Sequence, residues 1–185
     1  MPRYIALSKP FEVLSQFTDT QGRTTLKDYL PITGVYPAGR LDYRSEGLLV
    51  LSDDGIFIQR LTDPRFEHPK TYLAQVEGVP TDIALQSLRD SILLPGLQTR
   101  PVQVEIIPDP GLPLRSKPVR PYHPTSWLRV VLLEGKKHQV RRLTAAVGYP
   151  TLRLVRIAIG AITLGTLRPG EWRWLRSQEI NSFIR

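Results

Sequence analysis

The chain has 185 residues, 41% of them hydrophobic and 23% charged, which suits one sizeable globular unit that buries a core and excludes the disordered class. It contains no cysteine, so disulfides, thiolate catalysis and cysteine-bound metals are excluded by inventory. The formal net charge of +8 fits a polyanionic partner, because each phosphate contacted releases counterions, but a solvated basic face carries the same charge.

The first predicted elements are short strands at 4–8 and 13–17, broken at Lys9-Pro10, with the turn formers of 18–22 closing a hairpin. Thr24 or Thr25 caps a short helix that Pro31 ends. Gly39-Arg40-Leu41-Asp42 then forms a loop ahead of Leu48-Leu49-Val50-Leu51, a fully apolar strand, and Asp53-Asp54-Gly55 turns the chain into a helix over 56–61. A half-buried strand at 70–76, a capped helix at 81–90 and a strand at 102–107 follow. Residues 108–124 are rich in proline and carry Arg115, Lys117, Arg120 and His123, which reads as a long basic loop. The rest is a strand at 127–133, a helix at 137–147 ended by Gly148, and strands near 152–157 and 172–175. This is an α+β pattern, without repeats, secretory leader or membrane-spanning run, so a single cytoplasmic domain over 1–185 is expected.

Three places carry candidate chemistry. Asp42 lies among Arg40, Arg44 and Glu46 between two glycines, a setting that keeps a carboxylate ionised for use as nucleophile or base; an aspartate that only bonds its own turn has the same spacing. Lys70 and Tyr72 share one face of a strand, so a ring on which a base stacks stands beside a cation for phosphate; a core tyrosine explains the pattern equally well. In Glu134-Gly135-Lys136-Lys137-His138-Gln139-Val140-Arg141-Arg142, residues 137, 138, 141 and 142 make one basic stripe if the helix starts at Lys137, and a solvated helix face is the alternative. Three scattered histidines offer no metal site, and neither a nucleophile elbow nor a phosphate loop is present.

The order Gly39-Arg40-Leu41-Asp42, Ser45-Glu46-Gly47-Leu48-Leu49-Val50-Leu51, Lys70-Thr71-Tyr72 and Gln139-Val140-Arg141-Arg142 resembles the ribosomal RNA pseudouridine synthases of the RsuA branch. Leu7-Ser8-Lys9-Pro10 and Thr151-Leu152-Arg153-Leu154-Val155-Arg156 extend the likeness over nearly the whole chain. With strand residues already at position 4, no S4-type RNA-binding domain is expected ahead of it. His138 departs from the arginine usual before Gln-Val-Arg-Arg, which touches an RNA contact more than the catalysis.

The resemblance implies a central mixed, mostly antiparallel sheet with helices and loops around a cleft, and isomerisation of a flipped uridine in large-subunit ribosomal RNA without metal or cofactor. Asp42 matches the catalytic aspartate, acting at the ring, at the ribose C1′ or on glycosidic cleavage; Tyr72 matches the stacking tyrosine and Arg141 the cation paired with the aspartate. Arg40, Lys70, Arg115, Lys117, Arg120, Lys136, Lys137, His138 and Arg142 are the candidate RNA contacts, and a monomer is assumed. Two other classes compete: a non-catalytic RNA-binding module, which tolerates Asp42→Asn, and a nucleotide hydrolase holding a divalent metal on Asp42 or on Asp53 and Asp54.

Overall fold

The structure, a computed structural model, describes residues 1–94, 96–120 and 122–184. Along the chain the strands are β1 (Tyr4–Lys9), β2 (Tyr36–Pro37), β3 (Glu46–Ser52), β4 (Lys70–Glu77), β5 (Leu93–Leu94), β6 (Leu97–Gln98), β7 (Gln103–Ile107), β8 (Thr125–Leu132), β9 (Thr151–Ile159), β10 (Ile162–Thr163) and β11 (Trp172–Trp174). The helices are α1 (Gly55–Thr62), α2 (Asp82–Arg89), α3 (Gln139–Ala146) and α4 (Ser177–Ile184). Among the described residues, nine strands form one sheet along the path β11-β1-β3-β9-β4-β8-β7, with β2 on β3 and β10 on β9, while β5 and β6 pair separately.

Every pairing in the large sheet is antiparallel except β3 with β9, which run parallel only at Glu46↔Val155 and Gly47↔Arg156. That junction depends on Gly47. Its φ is +96°, and a Cβ there would lie 2.3 Å from the Arg156 carbonyl oxygen and 2.9 Å from the Arg156 nitrogen. Only glycine combines that backbone angle with so close an approach.

The apolar run in β3 is explained by coverage on both faces, since successive side chains of a strand point to opposite sides. Leu49 and Leu51 join Ile5, Leu7, Leu128 and Val130 under α2 and α3. Leu48 and Val50 join Phe57, Leu61, Ile159 and Phe183 under α1 and α4. Asp54 starts α1 by accepting from the backbone N–H of Ile56 at 3.0 Å and of Phe57 at 3.1 Å. It also accepts from the Tyr4 hydroxyl at 2.7 Å, so this carboxylate works as a cap.

Two expectations are corrected. Residues 13–17 form no hairpin strand; they make one parallel bridge, Leu14↔Thr25, because the buried Lys9 ammonium takes the carbonyls of Pro10 and Val13. Helix α3 begins at Gln139 rather than Lys137, since His138 sits in the left-handed region at φ 53°. Helix α4 has no counterpart in the sequence reading. The predicted basic loop is present as irregular chain over 108–124, apart from Pro121, which lies outside the described residues.

Candidate active site

The loop that carries Asp42 is fastened by its backbone. Gly39 turns the chain at φ +79°, and the carbonyls of residues 41 to 44 each find a donor. The Ser15 hydroxyl donates to Leu41 O at 2.8 Å and accepts from Leu41 N–H at 3.1 Å. Ser45 N–H donates to Asp42 O at 2.9 Å, Lys9 Nζ reaches Tyr43 O at 3.5 Å, and Arg141 Nη2 donates to Arg44 O at 3.0 Å. These bonds reach back into β1 and across to α3, so the aspartate is held on a frame built from distant parts of the chain.

The carboxylate itself faces a cleft of about 760 Å³. His138 Nε2 stands 3.2 Å from Asp42 Oδ1, with the two side chains 49% and 36% exposed. The left-handed backbone of His138, unusual for a residue with a Cβ, sits where the chain enters α3, and Gln139 closes that entry. The Gln139 side chain donates to Glu134 and accepts from Lys136 N–H, while Glu134 also accepts from Arg100 N–H.

Tyr72 is buried on β4, opposite Arg156 on β9 and Val130 on β8. It lines the cleft together with Asp42, Lys70 and Arg156. Burial, and secondarily the charge of Arg156, lower the pKa of Lys70. Beneath the Asp42 loop, Glu46 is buried and accepts two bonds from Arg153, 3.0 and 2.8 Å long.

The predicted site residues thus divide. Arg40, Lys70, Lys136, Lys137 and His138 line the cleft with Asp42 and Tyr72. Arg141 lies behind it, bonded to the carbonyls of Thr151 and Arg44. Among the described residues it makes no ion pair with Asp42; the side chain that stands against the Asp42 carboxylate is His138. Burial lowers the pKa of Arg141 and the Asp42 charge opposes that shift, so the two still share one field. Arg115 is folded inward over the ring of Phe11 at 4.2 Å and stands 4.0 Å from Glu46. Lys117 is paired with Glu12 at 2.5 Å, and Arg120 is exposed on the loop. Arg142 lies outside the cleft lining.

Sequence reasoning passed over Lys9, Ser15, Arg153 and Arg156 as site residues. The signal for the two arginines was present: charged residues in the apolar run Leu152-Arg153-Leu154-Val155-Arg156-Ile157 need partners once the strand is buried.

A family model described as RNA pseudouridylate synthase matches residues 3–146. The chain belongs to the RNA pseudouridylate synthase family. It is 52% identical over 173 residues to the ribosomal large subunit pseudouridine synthase E of Vibrio vulnificus, covering 92% of this chain and 74% of that one. It is likewise 52% identical over 174 residues to the protein of the same name from Xanthomonas campestris, covering 91% of this chain and 93% of the relative. A crystal structure of a pseudouridylate synthase superposes with a TM-score of 0.84 at 28% identity, covering 99% of this chain and 74% of the other. The expected fold class and enzyme class are therefore met: this pseudouridylate synthase is an α+β isomerase that converts uridine in RNA to pseudouridine. No helix among its described residues is long and apolar enough to cross a membrane.

Proposed function

We propose that this synthase isomerises a uridine of the large subunit's 23S ribosomal RNA, with Asp42 as the catalytic carboxylate. The observation that carries the proposal is the cleft itself: a carboxylate fixed through its own backbone, facing a buried tyrosine and ringed by cations. The 52% identity to two large-subunit synthases gives the substrate class.

In this reading the target nucleotide leaves its helix, because neither the glycosidic bond nor C5 is reachable in a stacked base. Its base lies on Tyr72, a contact worth roughly 1–3 kcal/mol, and Asp42 acts on the nucleotide beside it. The N1–C1′ bond breaks, the base turns, a C5–C1′ bond forms, C5 loses its proton and N1 gains one. The product is an isomer and no co-reactant is consumed. Arg141 and Lys9 position Asp42 through the carbonyls of Arg44 and Tyr43, and His138 supplies a cation or hydrogen-bond donor to its carboxylate. The enzyme works in the cytoplasm as a monomer on naked rRNA or an assembly intermediate, and without a metal.

The competing hydrolase reading is weakened by the occupation of its carboxylates. Asp53 accepts from Arg3 N–H at 2.6 Å and Arg3 Nε at 2.7 Å, and Asp54 caps α1. The deciding experiment is tritium release from rRNA labelled at uridine C5, for wild type and Asp42→Asn, each with and without chelator. Release by wild type alone, indifferent to chelation, supports the proposal. Release by Asp42→Asn at the wild-type rate, or by neither protein while both bind RNA, overturns it.

A further inference from the structure

Among the described residues, a cation without an anion stands at the floor of the cleft. Arg156 is only 4% exposed, yet it lines the cleft with Asp42, Lys70 and Tyr72. Its Nε donates to Leu48 O at 2.9 Å, while its Nη2 is buried with no hydrogen-bond partner among the described residues. No carboxylate pairs with it among the described residues. The cations around it are engaged differently: Arg153 holds Glu46 and the Pro113 carbonyl, and Arg141 holds two carbonyls. Lys70, the other cation on this wall, has among the described residues only the His68 carbonyl at 3.3 Å.

A buried arginine and a half-buried lysine with no anion between them among the described residues repel at the reduced dielectric of the cleft wall, and buried polar groups left unpaired in a folded chain call for an explanation. A ligand oxygen against the part of the guanidinium that lines the cleft supplies one. The sheet register fixes where that oxygen lies, since Tyr72 and Arg156 are direct partners across β4 and β9, so ring and guanidinium share a face. A base laid on Tyr72 presents its edge there.

The chemistry of the isomerisation says which oxygen needs a donor. If Asp42 attacks the ring, the electron pair displaced from the C5–C6 double bond moves onto O4. If the N1–C1′ bond breaks first, its pair is shared by N1, O2 and O4, until the new C5–C1′ bond, loss of the C5 proton and protonation of N1 restore a neutral base. On either route negative charge develops on a carbonyl oxygen of the uracil. We propose that Arg156, seconded by Lys70, is the electrophile of this enzyme: it donates to a uracil carbonyl oxygen and stabilises the charge that develops there. A fixed donor aimed at developing charge acts mainly on the chemical step. This role rests on the proposed uridine chemistry at Asp42.

The test changes the oxygen as well as the arginine. Single-turnover rates are measured at saturating rRNA fragment for wild type and Arg156→Lys, with the target nucleotide supplied as uridine, 2-thiouridine or 4-thiouridine. Sulfur accepts hydrogen bonds poorly. One thio substitution should slow wild type by about 100-fold. On that substrate Arg156→Lys, already slow on uridine, should lose no more than about threefold further, because the two changes remove the same bond. RNA affinity should change little in any arm. Wild type that converts both thio substrates at the uridine rate overturns the role, and this arm decides even if Arg156→Lys fails to fold. Weaker binding by Arg156→Lys with a shallower salt dependence and an unchanged saturating rate also overturns it, and assigns the cation to a backbone phosphate. Wild type inactive on plain uridine defeats the proposed function instead, a separate outcome.

Discussion

Arg141 donates through Nη2 to the backbone carbonyl of Arg44 at 3.0 Å, across 97 residues of sequence, and makes no ion pair with the Asp42 carboxylate among the described residues. Its Nη1 holds Thr151 O at 3.1 Å. One planar guanidinium therefore ties the Asp42 loop to the start of β9, and it does so from a half-buried position. Arginine suits this better than lysine, whose single ammonium has no fork to span two acceptors.

Arg141→Lys should therefore keep its charge and lose its grip. The expected result is a fall of roughly 100-fold in the single-turnover rate, the size of effect that follows a displacement of about 1 Å in a reacting group. Amide hydrogen exchange in residues 41–45 should speed up in the same variant. Unchanged exchange beside a full loss of rate would show that Arg141 acts on substrate rather than on the loop.

Gly47→Ala should destabilise by about 3 kcal/mol or more, because a Cβ at 2.3 Å from the Arg156 carbonyl forces β3 and β9 apart. Gly165→Ala is the control: φ there is +59° with nothing within 4 Å of the added atom, so only the backbone penalty of about 1–2 kcal/mol applies. Urea unfolding of both variants measures the difference. Equal losses would mean that the junction yields.

RNA affinity should separate the cations that face the cleft from those turned inward. Lys137→Ala should weaken binding and lower the slope of log K against log salt by about one. Arg115→Ala should leave that slope unchanged, since its guanidinium packs on Phe11 beside Glu46. Filter binding across a salt series reads both, and a reduced slope for Arg115→Ala would return that residue to the RNA surface.

An ion pair anchors helix α4 beside the core contact of Phe183. Arg173 donates to both oxygens of Glu179 at 2.8 and 2.6 Å, and Arg176 N–H donates at 2.8 Å. Burial raises the Glu179 pKa, but these bonds outweigh it and the net direction is down. The folded chain thus holds this proton more weakly than the unfolded chain. The resulting stability is complete above the ordinary glutamate value of 4.5 and is lost as pH falls through the lower folded value. Glu179→Gln should cost roughly 1–3 kcal/mol at pH 7 and show a flatter acid limb than wild type in thermal melts. Parallel acid limbs would place the pH dependence elsewhere.

Much of the scaffold was legible because it is locally encoded. The run Leu48-Leu49-Val50-Leu51 reads as a fully apolar strand, and Asp53-Asp54-Gly55 reads as the turn that leads into a helix, as the structure has them. Two local misreadings have one cause, a distant partner overriding local preference. Lys9 is drawn into the core by the carbonyls of Pro10, Val13 and Tyr43, which undoes the expected hairpin. Gln139 turns back to Glu134, which holds the chain ahead of α3 out of the helix. Helix α4 is short, and its docking depends on Glu179 reaching Arg173 and Phe183 entering the core under β3, neither of which its own composition announces.

By itself the sequence determined the charge, the alternation of elements and the identity of the motif residues, since Asp42, Tyr72 and Arg141 stand in segments whose pattern is written in neighbouring positions. Only the tertiary structure decided what those residues touch. It set His138 against Asp42, turned Arg141 to the loop backbone, folded Arg115 inward and left Arg156, among the described residues, without an anion at the cleft floor. The physical reason is range: helix and strand preference is settled within a few residues, whereas the partner of a buried charge comes from wherever the sheet brings the chain back.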